Sequence, residues 1–166
     1  MATTFSFLAA ALQPPSERPL TPLQIEAKHK ALIEHHEGRR KSMYQCTAGK
    51  NTIGVGHNLD ANPISDAAIN QILDDDYRAT LKTLNSNIPF AGGLDWVRQA
   101  ALVDLVFNMG IGTLLTFTHT LDALEKLDFE AAADGLKDSK WFHQVGMRGP
   151  RIVAMIRTGQ WPAEVV

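Results

Sequence analysis

With a single cysteine, Cys46, in 166 residues, the chain can build neither an internal disulfide framework nor a CxxC metal knuckle. Its fold must be held by an apolar core. It also lacks an excess of charge of either sign. The formal net charge is −2 and the pI is near 6.3, so no bulk basic field draws it to nucleic acid or anionic lipid. The one basic cluster, Arg39-Arg40-Lys41, is short enough to be a solvated turn. No apolar run approaches the roughly 20 residues that a membrane-spanning helix needs. Residues 1–12 carry Phe5, Phe7 and Leu8, but the first positive residue is Arg18, and the segment reads as neither an export signal nor a membrane anchor. Internal repeats and low-complexity tracts are missing too. What remains is ordinary globular composition, 45% hydrophobic and 20% charged, enough for one domain or for two lobes over a shared core.

Residues 13–22 hold four prolines and read as an extended strap. Thr21-Pro22 then opens a helix, with an N-cap followed by proline in the first turn. Ile25, Leu32 and Ile33 recur at helical spacing, and Gly38 is the stop signal. Two short strands are expected next, residues 43–47 and 52–57, around the turn Ala48-Gly49-Lys50-Asn51. A long helix should run from Ser65-Asp66 to about Leu84, with Ile69, Ile72, Leu73, Tyr77 and Leu81 on one face. The segment from Asp95 to Met109 is apolar on most of its circumference and is expected to be the central helix, closed by Gly110 and Gly112. Three shorter helices should follow, over about 118–126, 129–136 and 150–158, with Trp161 and Val165-Val166 packing back on the bundle.

Chemistry concentrates between His35 and Asn58. Glu37 falls at a helix C-terminus, where the partial negative charge of the helix favours the protonated carboxyl that a general acid needs. Cys46 and Thr52 face each other across the expected turn. Gly54 and Gly56 alternate with Ile53 and Val55, leaving one strand face as bare backbone, the usual sign of a close approach by backbone or ligand. His36-Glu37 begins like the zinc motif HExxH, but position 40 is Arg and the second ligand is missing. A Cys46–His57 nucleophile pair and a purely structural hairpin are the competing readings.

The spacing Glu37, eight residues, Cys46, five residues, Thr52, followed by Thr52-Ile53-Gly54-Val55-Gly56-His57, resembles the signature of the phage-type lysozymes of glycoside hydrolase family 24. In that signature the second position is Asp or Cys. The resemblance continues through residues 94–102, 106–110, 139–142, 148–151 and 157–161, and covers roughly residues 25–162. It implies a mostly helical α+β fold, with a small antiparallel β lobe and a larger helical lobe meeting at a cleft and joined by a long helix. Residues 1–21 would be an N-terminal extension and 22–166 the catalytic domain, with the β lobe over about 38–64.

The implied activity is hydrolysis of the β-1,4 bond between N-acetylmuramic acid and N-acetylglucosamine. Glu37 would be the general acid, Thr52 would hold the water or the sugar, and Cys46 would stand where many relatives carry Asp. His57 would pair with Asp75, Asn108 would touch sugar at the cleft wall, and Arg148 would face Glu37. No cofactor or metal is implied. The implied partner of a monomer is bacterial peptidoglycan, with no nucleic acid and no stable membrane insertion. The protein would stay in the host cytoplasm until lysis and then act in the periplasm and cell wall, reached through a holin or carried by a virion. A lytic transglycosylase of the same fold and a non-catalytic peptidoglycan-binding virion module are the alternatives.

Overall fold

The computed structural model describes residues 19–165, so the expectations for residues 1–12 and most of the proline strap lie outside the described residues. The chain divides into two compact units, one ending at Ser65 and one beginning at Asp66.

In the first unit, α1 (Pro22–Glu37) starts as its sequence requires. The Thr21 hydroxyl accepts from Gln24 N–H while the Gln24 side chain accepts from Thr21 N–H, a reciprocal capping box with Pro22 in the first turn. Gly38, at φ 71°, ends the helix. Just beyond it Arg39 reaches back to both carboxylate oxygens of Glu34, each at 2.7 Å. The fork fixes the direction in which the chain leaves the helix. Ile25, Leu32 and Ile33 keep their helical spacing but are exposed, and no residue of α1 is buried.

A three-stranded antiparallel sheet follows in the order β1 (Arg40–Gln45), β2 (Asn51–Gly54) and β3 (His57–Asn58). Tyr44 and Asn58 both pair with Thr52, on either side of β2. The first strand begins three residues before the expected start and ends two before the expected end, so Cys46 and Thr47 lie in the turn. The expected second strand is two strands. Gly54 and Gly56 take φ of 66° and 70°, values that end one strand and start the return of the next at little steric cost.

The second unit is helical: α2 (Asp66–Asn87), α3 (Trp96–Met109), α4 (Ile111–Leu114), α5 (Thr118–Glu125), α6 (Phe129–Lys137), α7 (Lys140–Gln144) and α8 (Arg148–Thr158). Helix α2 runs three residues beyond expectation. Its far end enters the core at Leu84, whereas Ile69, Ile72, Leu73 and Tyr77 are exposed. Asp95 caps α3 by accepting from the N–H groups of Val97 and Arg98. Helix α3 is central, burying Val97, Ala101, Leu102, Val103, Leu105 and Val106, but Trp96, Phe107 and Asn108 stay exposed. Gly110 closes it, while Gly112 belongs to α4. The core joins these side chains to Leu114, Leu121, Leu124, Leu136, Trp141, Ile152, Val153 and Ile156. The short helix α7 was not expected, and α8 begins two residues early. Trp161 is half exposed, and Val166 lies outside the described residues.

One long side chain ties the two ends of the helical unit together. Arg98 of α3, only 12% exposed, donates to Ile156 O at 2.7 Å and to Arg157 O at 3.0 Å. These are carbonyls of the last turn of α8, which no residue within the helix can satisfy. The guanidinium also lies 3.5 Å from the centre of the Phe129 ring and pairs with Asp95. Gly159 makes room for it, since a methyl group there would lie 2.5 Å from Arg98 Nη1. Burial pushes the Asp95 carboxyl up, but Arg98 and the two capping N–H groups outweigh it and hold the carboxyl below its usual value. The stability this gives is present above pH about 4 and is lost as pH falls through the lowered folded value. Arg98→Ala is expected to destabilise the protein by about 2–4 kcal/mol in urea unfolding, because it leaves carbonyls unsatisfied and removes the ring contact. Arg157→Ala, which breaks only the surface pairs to Glu130 and Asp134, should cost under about 1 kcal/mol.

Candidate active site

Glu37, Cys46 and Thr52, all singled out in the sequence, belong to the first unit and are ranged about β2. Glu37 is the last residue of α1, and Gly38 turns the chain there. Its carboxylate lies against the β2–β3 turn: a methyl group at Gly56 would sit 2.8 Å from Glu37 Oε2 and 3.1 Å from Cδ. Of the two glycines expected to permit a close approach, Gly56 does so. A methyl group at Gly54 would meet nothing within 4 Å.

At the opposite end of β2 stands Cys46. The β1–β2 turn closes through Cys46 N–H to Lys50 O at 3.0 Å and Gly49 N–H to Cys46 O at 2.8 Å. This wraps the loop around the sulfur, which is partly exposed. Hydrogen bonds from the backbone N–H groups of Lys50 and Ala48 hold the thiol below its ordinary pKa. Partial desolvation opposes them, and the Thr52 hydroxyl and the N–H of Cys46 itself add to the lowering. Thr52 is 3% exposed. Its hydroxyl lies 3.0 Å from Lys50 O and also within reach of the sulfur. The hydroxyl hydrogen can be donated to the carbonyl or to the sulfur, and a thiolate competes for it better than a neutral thiol does. From Thr52 to Gly54, the last residue of β2, the strand rises about 7 Å, at about 3.3 Å per residue. The length of β2 thus lies between the turn that holds Cys46 and the turn that Glu37 abuts. An outer clasp, Asn51 donating from its backbone and its side chain to the two oxygens of Asp60 at 3.2 and 3.0 Å, fixes the start of that strand.

His57 is exposed on β3, pairing in register with Ile53. Asp75 lies on α2, where it accepts from Gln71 and stands 3.9 Å from Arg78. Arg148 and Asn108 belong to the helical unit and have partners there that sequence reasoning missed. The Arg148 guanidinium grips Asp104 at 2.9 and 3.3 Å, and the Trp141 indole N–H donates to Asn108 Oδ1 at 2.8 Å. A usable signal for Asp104 existed, because it is the one charged residue between Arg98 and the end of α3. Asp104, Asn108, Arg148 and Trp161 line a pocket of about 530 Å³ whose apolar wall includes Val145, Ile152 and Met155. Among the described residues no group of three or more His, Cys, Asp or Glu side chains is placed to hold a metal ion.

The chain is 28% identical to a probable T4-type lysozyme 1 of Dictyostelium discoideum, over 78% of this chain and 94% of that protein. It is 33% identical to an endolysin of Acyrthosiphon pisum secondary endosymbiont phage 1, over 71% and 82%. It also matches the pre-baseplate central spike protein of Enterobacteria phage T4 at 27% identity, over 87% of this chain but 31% of that longer protein. Residues 34–156, which hold the helix end, the sheet and most of the helical unit, match the phage lysozyme family, and the chain belongs to it.

Proposed function

We propose that this peptidoglycan hydrolase is a muramidase, cleaving the β-1,4 bond between N-acetylmuramic acid and N-acetylglucosamine, with Glu37 as general acid and Cys46 as the group that prepares the water. The observation that carries the reading is the placing of a carboxyl and a thiol at opposite ends of β2. Inverting glycosidases hold their two reacting groups about 6.5–9.5 Å apart to admit a water, whereas retaining enzymes hold them about 5–5.5 Å apart. A strand-length spacer suits the first arrangement. Glu37 gives its proton to the glycosidic oxygen as the bond to C1 breaks. The Cys46 thiolate takes a proton from the water whose oxygen attacks C1. Thr52, almost wholly buried, acts through the thiol, donating to it when it ionises.

The helical unit supplies a second element of the reading. Asn108, held by Trp141, and Arg148, held by Asp104, present polar groups in a pocket with an apolar wall, the composition of small-molecule binding sites in general. Residues 22–166 then form the catalytic region.

Mass spectrometry of fragments released from purified cell walls tests the bond and the product together. Reducing N-acetylmuramic acid ends are expected. Anhydro ends would identify a transglycosylase, and no release of fragments would identify a binding module. The similarity to an endolysin favours action from the host cytoplasm on the wall, with a holin as the route. The similarity to a baseplate spike protein favours delivery by a particle. Among the described residues no helix is long and apolar enough to cross a membrane.

A further inference from the structure

We propose that Gly56 is the positioning residue for the acid: the side chain it lacks is the space in which the Glu37 carboxyl is seated. This rests on the reading of Glu37 as the general acid. Three atoms of one side chain occupy the place of the missing methyl group, Oε2 at 2.8 Å, Cδ at 3.1 Å and Cγ at 3.3 Å from it, and they are its three nearest neighbours. A carboxyl at the end of a helix has rotational freedom that an active site must remove. Here the β2–β3 turn supplies one wall, formed by backbone with no side chain on it.

The identity of the clashing atoms decides where the effect of a substitution falls. A methyl group at Gly56 would meet the far end of a flexible, exposed side chain, so the protein can yield by swinging Glu37 away without breaking its core. Stability suffers little from the clash itself. Catalysis suffers much, because a displacement of about 1 Å from a reacting geometry costs on the order of 100-fold.

Gly54 provides the matched control. Its φ is nearly the same, 66° against 70°, so alanine at either position carries the strain of a positive φ. A methyl group at Gly54, however, enters open space.

The experiment compares Gly54→Ala, Gly56→Ala and Glu37→Gln in the full chain, by melting temperature, binding to insoluble cell walls and turnover. Gly54→Ala and Gly56→Ala are expected to melt at temperatures within a few degrees of each other and to bind walls equally. Gly54→Ala should keep its activity within about threefold, and Gly56→Ala should lose on the order of 100-fold in kcat. A second comparison uses Glu37→Asp, which withdraws the carboxyl by one methylene. It should impair the protein with Gly56 intact, but cost little or restore activity when Gly56 is alanine.

Equal activity of the two alanine variants, or an equal cost of Glu37→Asp in both backgrounds, would overturn the positioning role. So would a Gly56→Ala protein that fails to fold while Gly54→Ala folds, since Gly56 would then be structural. The two readings fail separately. If Glu37→Gln stays active, the acid assignment falls and the positioning with it. If Glu37→Gln is inactive and the two alanine variants match, only the positioning falls.

Discussion

Glu37→Gln is expected to abolish turnover of purified cell walls, lowering kcat by about 10³-fold or more, with no loss of folded protein. The amide keeps the size and shape of the side chain, so it still fits against Gly56 and still ends α1. What it lacks is an acidic proton. The leaving group in glycoside hydrolysis is an alkoxide of a sugar, a poor leaving group unless it is protonated as the bond breaks. General acid catalysis by a positioned carboxyl contributes about 10²–10⁴-fold. Stability should be almost unaffected, because Glu37 is exposed and substitutions at such positions usually matter little. The melting temperature should stay within about 2 °C. Release of reducing ends, followed with the melting curve of the same preparation, separates the two effects. Lysis at the wild-type rate by Glu37→Gln would remove Glu37 from the mechanism.

The features that were legible in the sequence are those set by local chemistry. Thr21, Pro22 and Gln24 announce the start of α1 because the capping box is made within four residues, and Gly38 announces its end for the same reason. Asp95 marks the start of α3 equally well. The two-residue β3 was not legible, because Gly54 and Gly56 suit both a bare strand face and two left-handed turns, and hydrophobic alternation does not distinguish them. The N-terminal shift of β1 has a similar origin. Arg40 and Lys41 have no apolar signature, and they belong to the strand only through pairing with β2. How much of α2 is buried was not legible, since a helical stripe of apolar residues gives no indication of how far along its length a partner extends; only Leu84 is buried.

At the site, the acid, the thiol and the threonine stood out by spacing and by family resemblance, whereas their supports did not. The Gly56 contact with Glu37, the N–H groups of Ala48 and Lys50 around the sulfur, and the Asp104–Arg148 pair all depend on backbone turns or long-range packing. Single residue types do not encode these.

Cys46→Ala is expected to lose about 10²–10³-fold in kcat, the usual contribution of a positioned base, and Cys46→Asp to keep activity with its pH optimum moved to lower pH. A thiol must ionise before it can replace a carboxylate. An ordinary cysteine, with pKa about 8.5, is mostly neutral at pH 7, whereas an aspartate, at about 3.9, is ionised throughout that range. In this turn the N–H groups of Lys50 and Ala48 point their positive ends at the sulfur, and the Thr52 hydroxyl adds a hydrogen bond that it can redirect from Lys50 O. The lowering places more thiolate at neutral pH than a free cysteine would have. It also means that ionisation favours the folded form: the contribution is present above the unfolded thiol value and is lost as pH falls through the lowered one.

The wild-type rate should therefore rise with pH along a limb lying below the ordinary thiol value, and alkylation by iodoacetamide should follow the same limb, since the thiolate is the reacting form. Aspartate at position 46 removes that limb, because its own ionisation is complete at far lower pH, and it also removes the sensitivity to alkylation. If Cys46→Ala retains full activity and the wild-type profile has no thiol limb, the sulfur shapes the turn only, and the water must be prepared by another group.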